Sequence, residues 1–225
     1  MTRVSEPLLG RAYQRALEAA DELFRDDMRK GKSQPYLAHL LAVSALVLRD
    51  GGSRAEVIAG LLHDVMEDKG RSKRDIEVIV GPELGPAVAD IVFGCSDGVD
   101  EEGRRIGGER GSANWHERKR TYLAHLELAD PSVLRVSAAD KLDNAADLLA
   151  DLSAHGDEAL RVFNAPPADQ LWWYESLDAI FTARLHDSFL PARLHRTVVE
   201  IIAVVDIIEA TRLWEEAAAA RTERG

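Results

Sequence analysis

The sequence predicts an all-α protein, folded as a single irregular helical bundle. Apolar residues recur at three- and four-residue spacing through most of the 225 residues, and strict alternation never persists long enough to make a half-buried strand. Cap residues, prolines and glycines divide that periodic chain into helices of ordinary length. The length suits one domain with at most a terminal appendage, so the reading is a bundle over residues 1–190 with a last helix, within 191–225, packed on the same domain.

Helices are expected at 5–28, 36–49, 54–67, 73–80, 83–94, 115–129, 131–151, 155–162, 168–187 and 191–219. The third begins at Ser53-x-x-Glu56, where the serine oxygen accepts from first-turn amides and the glutamate reaches back, a standard capping box. Ser72-x-x-Asp75 and Asn114-x-x-Glu117 have similar spacing without the standard pair. Asp130 before Pro131 reads as an N-cap followed by a first helical position that needs no donor. The runs DIEVIV (75–80) and DIVFG (90–94) have strand propensity, but each sits inside a longer helical period. The segment 96–113 holds five glycines, three arginines and no apolar period, which suggests a mobile lid closing over phosphates.

Composition excludes several classes of function. With 46% hydrophobic and 30% charged residues the chain has a core to bury and is not disordered. Thirty-nine acidic against twenty-eight basic residues leave a net charge of -11, which repels nucleic acids and anionic lipid surfaces. The longest apolar run, 197–208, carries Glu200 and Asp206 and falls short of the ~20 residues of a membrane span. Cys95 has no second cysteine to pair with, and no signal core follows the N-terminus, so the expected compartment is the cytoplasm. Homo-oligomerisation stays open.

The chemistry concentrates in Gly60-Leu-Leu-His-Asp-Val-Met-Glu-Asp68, where an apolar helix abruptly presents His63, Asp64, Glu67 and Asp68. Residues four apart share a helix face, so His63 stands over Glu67 and Asp64 over Asp68. Acids at a helix end often merely face solvent. An imidazole and a carboxylate directly after Ala-Gly-Leu-Leu, however, lie where burial is expected and need partners or a metal. Two other helices offer partners: His39, on the otherwise apolar QPYLAHLLAVSALVL, and Asp140, after the Val-Ser-Ala-Ala run of LRVSAADKLDNAADLL. Either alone reads more naturally as a satisfied core residue. Together, two imidazoles and two carboxylates make a mixed shell suited to a divalent ion that keeps positions open for water and substrate oxygens, such as Mn²⁺ or Fe²⁺. A closed structural zinc site would draw on cysteine, and Cys95 stands alone.

The order H…HD…D, with the extended HDVMED, resembles the HD-domain metal-dependent phosphohydrolases. Within them it is most similar to the (p)ppGpp hydrolase domain of the Rel/Spo proteins and to the stand-alone small alarmone hydrolases. The blocks PYLAH (35–39), AGLLHDVMED (59–68), HERKRTYLAHL (116–126) and SAADKLDN (137–144) carry the resemblance. It implies an HD-type bundle in which His39, His63, Asp64 and Asp140 hold one metal ion, typically manganese, with Fe²⁺ or another divalent ion open. Glu67 and Asp68 become the acidic pair that positions or deprotonates the attacking water. Asn144 and Lys141 fall in the block that meets substrate, and Lys30 and Lys32 fall where the family sets basic residues against the guanine base and ribose phosphates. Those two lysines read equally well as solvated surface.

The implied activity is removal of the 3′-pyrophosphate of guanosine tetra- or pentaphosphate, a small-molecule nucleotide substrate. Two other readings are a hydrolase of another phosphorylated nucleotide such as NADPH and a catalytically silent, nucleotide-binding HD domain. The intact ligand set with Glu67 and Asp68 argues against silence. Nothing after about residue 190 suggests a nucleotide-synthesising domain, so hydrolysis alone is expected. A polyanionic substrate on an acidic protein requires a local basic mouth, drawn from Lys30, Lys32, Arg104, Arg105, Arg110, Lys119 and Lys141. Trp172, Trp173 and Tyr174 read as core, with base stacking as the alternative. Departures from the family are Leu40 where proline is common, LFRDDMR in place of a His-Gly-Gln-like stretch, the length of the 96–113 loop, and Asp143 where His or Tyr is usual. They bear on recognition of the base more than on the metal.

Overall fold

In the computed structural model, residues 9–106, 114–156, 158–159 and 166–222 are described. The chain runs through α1 (Gly10–Phe24), α2 (Tyr36–Arg49), α3 (Arg54–Leu62), α4 (Val65–Lys69), α5 (Lys73–Val80), α6 (Gly85–Cys95), α7 (Trp115–Leu126), α8 (Pro131–His155), α9 (Pro167–Arg184) and α10 (Leu190–Thr222). Among the described residues there is no strand, only isolated bridges between Met28 and Pro35 and between Val99 and Arg105. The all-α expectation holds. No helix among them is long and apolar enough to cross a membrane. Half of the helix expected at 155–162 lies outside the described residues.

Local chemistry accounts for most of the boundaries. Ser53 and Glu56 form the expected capping box, and so do Ser72 and Asp75, where the shorter aspartate still reaches the Ser72 amide at 2.9 Å. Asn114 does not cap α7 through its side chain. Pro131 opens α8, which continues one turn past the expected end until Gly156 takes a positive φ. α1 stops at Phe24 rather than at 28, because the chain turns there and Tyr36 N donates back to Asp27 O at 2.9 Å, leaving Lys30 and Lys32 on a loop.

The single helix expected at 54–67 is two. It breaks at His63 and Asp64, where Asp64 adopts φ −94 and ψ −2. His63 Nδ1 donates to the Gly60 carbonyl at 2.9 Å, the acceptor that an unbroken helix would offer to residue 64. Asp64 still sits one turn before Asp68, whose amide donates to the Asp64 carbonyl at 2.9 Å.

α8 is the central helix, packed against α2, α3, α6, α9 and α10. It buries Leu134, Ala138, Ala139, Leu142, Ala145, Leu148 and Leu152, and small residues let neighbouring backbones approach. Gly60 serves α3 in the same way: a Cβ there would lie 3.2 Å from Ser44 Cα on α2, so glycine lets α2 and α3 approach more closely than a larger residue would without a shift. α10 lays Leu190, Leu194, Val198, Ile201 and Val205 into the core beside α8 and α9.

Residues 96–106 are not a free lid. Lys73 N donates to Glu101 O at 2.9 Å, Asp97 N donates to Glu67 Oε1 at 2.6 Å, and Gly103 (φ +73) rests on the Arg71 carbonyl where a Cβ would intrude at 2.5 Å. The segment is pinned to α4 and α5. Residues 107–113, including Arg110, lie outside the described part.

Candidate active site

Two helices and the α3–α4 break converge on one point. His39 from α2, His63 from the break and Asp140 from α8 are all buried, and one ligand atom from each lies within 4.8 Å of the others. His39 Nε2 is 3.3 Å from Asp140 Oδ1, and His63 Nε2 is 3.6 Å from the same oxygen. Asp64 Oδ2 lies beside both rings, 3.0 Å from His63 Nε2 and 3.7 Å from His39 Nε2. Each ring is anchored from behind, His63 through Nδ1 on Gly60 O and His39 through Nδ1 on Asp143 Oδ2 at 2.6 Å. Both Nε2 atoms therefore face inward.

A divalent ion fits this arrangement. His63 Nε2 is buried and makes no hydrogen bond, although Asp64 Oδ2 lies 3.0 Å away. Polar atoms left unpaired in a core are costly, and a nitrogen lone pair aimed at the same point as three oxygen and nitrogen neighbours is what a cation ligand requires. The electrostatics agree. Burial opposes charge on His63, yet the Asp64 and Asp140 carboxylates hold the imidazole well above its ordinary value. Burial likewise works against His39, and its bonds to Asp140 and Asp143 still raise it. Burial also opposes ionisation of Asp140, but Lys141 and the two imidazoles keep it well below the usual carboxylate range. A proton and a cation would therefore compete for the same imidazole nitrogens.

This proton competition sets a pH dependence. Groups with raised folded values stabilise the metal-free protein below the ordinary histidine range and lose that contribution as pH rises through the folded values. An ion needs neutral imidazoles, so its affinity moves the opposite way. The rise in melting temperature on adding Mn²⁺ is expected to grow between about pH 6 and pH 8. A rise that shrinks over that range would exclude the imidazoles as ligands.

The acidic pair lies at the edge of this cluster. Glu67 Oε1 accepts from Asp97 N, and Asp68 Oδ2 accepts from Tyr36 at 3.3 Å. The Tyr36 hydroxyl also donates to Asp64 Oδ2 at 2.6 Å, so one phenol ties the metal-side carboxylate to the acidic pair. Burial and the two aspartates hold that phenol far above its ordinary value, which keeps it a donor. Burial and the Asp64 carboxylate push the Asp68 carboxyl up to about 6.

Above the cluster opens a cleft of about 490 Å³ lined by Lys30, Lys32, Lys141 and Asn144, by Glu67 and Asp68, and by every nominated metal ligand except His63. Lys30, Lys32, Lys119 and Lys141 reach it as expected, joined by Arg29 and Arg118, which sequence reasoning passed over although each adjoins a nominated lysine. Arg104 is absent from the walls and pairs instead with Asp100 and Glu102, while Arg105 donates to the Glu67 carbonyl. Lys32 sits 3.0 Å from Asp151 and Arg29 sits 3.1 Å from Asp147, both acids on α8. Lys141 pairs with Asp140, and Asn144 Nδ2 donates to Asp140 Oδ1 at 2.5 Å while its own carbonyl accepts from Arg29 at 2.7 Å. Lys119 lies 4.3 Å over the Trp173 ring, and burial together with the neighbouring Lys141 lowers it to about 8. Trp173 and Tyr174 are buried and also line the cleft, whereas Trp172 meets Trp115 edge-on.

Comparison with known proteins places this geometry. The chain is 31% identical over 131 residues to a probable GTP pyrophosphokinase of Mycobacterium leprae, covering 58% of this chain and 15% of that protein. It is 31% identical over 120 residues to a probable guanosine-3′,5′-bis(diphosphate) 3′-pyrophosphohydrolase of Synechocystis, covering 52% of this chain and 14% of that one. The matched stretch is thus about a seventh of the length of these relatives. Among solved structures, a metazoan ortholog of SpoT described as hydrolysing ppGpp superposes with a TM-score of 0.62 at 24% identity, over 83% of this chain and 93% of that one. A protein of Listeria monocytogenes superposes with a TM-score of 0.58 at 24% identity, over 71% and 96%. These two likenesses show a common fold. A family model for the HD domain matches residues 16–165, a span that holds both histidines, the acidic pair and Asp140, and the chain belongs to the HD-domain family.

Proposed function

We propose that this protein is a manganese-dependent hydrolase that removes pyrophosphate from the 3′ position of guanosine tetra- or pentaphosphate. The observation that carries the reading is the convergence of His39, His63, Asp64 and Asp140, with a buried Nε2 that makes no hydrogen bond, at the floor of a cleft whose acid-rich walls also carry six lysine and arginine side chains. The named activities of the relatives support the choice of nucleotide. An ion held by those four residues supplies charge for the phosphoryl oxygens and a more acidic water. The chain's own residues do the rest. Arg29, Lys30, Lys32, Arg118, Lys119 and Lys141 line the cleft and would meet the substrate's phosphates. Water adds to the phosphorus attached at the 3′ oxygen, that P–O bond breaks, pyrophosphate is released, and the nucleoside 5′-di- or triphosphate departs with a 3′ hydroxyl restored by a proton that originates in the attacking water. Glu67, held by the Asp97 amide, takes the water's proton, and Asp68 stands beside it.

Incubation of the purified protein and Mn²⁺ with ppGpp, pppGpp, NADPH and common nucleotides, followed by chromatography, tests this assignment. Pyrophosphate with GDP or GTP is expected from the first two. Phosphate release from NADPH alone would move the protein to a different substrate within the same chemistry, and no product from any of them would favour a silent binding domain.

A further inference from the structure

We infer that Asp143, the residue at which this chain departs from its family's usual His or Tyr, is a positioning residue that sets the orientation and donor strength of His39 toward the metal. The inference rests on the metal-site reading given above. Asp143 lies on α8 three residues after Asp140, so the two carboxylates project from one side of the same helix at successive turns. They grip the two nitrogens of a single ring: Asp140 Oδ1 lies 3.3 Å from His39 Nε2, and Asp143 Oδ2 lies 2.6 Å from Nδ1.

With a cation between Nε2 and Asp140, one tautomer suits both nitrogens, with the proton on Nδ1 toward Asp143 and the lone pair on Nε2. A carboxylate behind an imidazole fixes that tautomer, holds the ring plane and increases the basicity of the far nitrogen. His63 has a weaker neutral partner in the same place, the Gly60 carbonyl. The two histidines are thus supported unequally, and the anionic support belongs to His39. The His39 ring is 2% exposed and packs edge-on against Tyr36 and His63, so its position is already confined and Asp143 acts on its proton and its electron density. An anion here also adds to the negative charge facing a cation.

Isothermal titration of Mn²⁺ into the metal-free native chain, Asp143→Asn and Asp143→Ala tests the inference without reference to any substrate. Asp143→Ala is expected to weaken Mn²⁺ binding by about 10- to 100-fold, the usual effect of losing such a partner. Asp143→Asn keeps an acceptor for the Nδ1 proton without the charge and should recover part of that loss. In nitrogen-15 spectra of the Zn²⁺-loaded proteins, the His39 Nδ1 proton should be protected from solvent in the native chain and Asp143→Asn, and exchange away in Asp143→Ala. Should Asp143→Ala fail to fold, a several-fold loss in Asp143→Asn sustains the inference and an unchanged affinity overturns it. Equal affinity and an equally protected proton in a folded Asp143→Ala also overturn it. If the native chain takes up no Mn²⁺, the metal reading falls, and this inference with it.

Discussion

Asp140→Ala is expected to abolish metal uptake and hydrolysis together. Asp140 supplies the only oxygen within reach of both imidazoles that α8 contributes, and its removal leaves two helices' worth of ligands with no third anchor. An ion contributes several kcal/mol of charge stabilisation to phosphoryl transfer, and at about 1.36 kcal/mol per decade its loss lowers the rate on the order of 10³-fold or more. Stability gives a second readout. A ligand present at one hundred times its dissociation constant stabilises the folded state by about 2.7 kcal/mol. Added Mn²⁺ should therefore raise the melting temperature of the native chain and leave that of the variant unmoved, and chelation should reverse the rise. Metal analysis showing full occupancy in Asp140→Ala would remove Asp140 from the ligand set.

Glu67→Gln separates catalysis from binding. The substitution keeps the shape and an oxygen that still accepts from the Asp97 amide, so the anchor of residues 96–106 survives. What disappears is the ability to take a proton. Turnover should fall by ~10² to 10⁴, the usual size of a general-base contribution, with metal content unchanged. Substrate affinity should change far less, because the lost interaction matters mainly in the transition state. Near-normal turnover would shift the proton to Asp68, whose raised value of about 6 already suits that task.

Much of this site was legible before the fold was known. The combination of His39, His63-Asp64 and Asp140 on apolar helices suggests a shared polar centre, and the structure brings three of the four within a few ångströms with Asp64 alongside. The periodicity that implied helices carried through even the strand-like runs at 75–80 and 90–94, both of which are helical. What escaped were contacts without a local pattern. Tyr36 stands in a nominated block, but its bond to Asp64 spans 28 residues. Asp97 collects Arg118 and Lys119 from another helix across a segment that reads as loop. The break at His63 was hidden because a side chain, not a proline or glycine, diverts the carbonyl. Asp143 was noticed as a departure, and its spacing from Asp140 was a usable signal, since a residue one turn beyond a ligand meets the same neighbouring helix.

The most direct measurement of the metal centre is anomalous scattering at the manganese edge from crystals of the native protein soaked in Mn²⁺. A single strong peak is expected among His39 Nε2, His63 Nε2 and the carboxylates of Asp64 and Asp140, and it should vanish in Asp140→Ala. No peak there, or a peak confined to the surface acids, would contradict a metal-dependent hydrolase at this site.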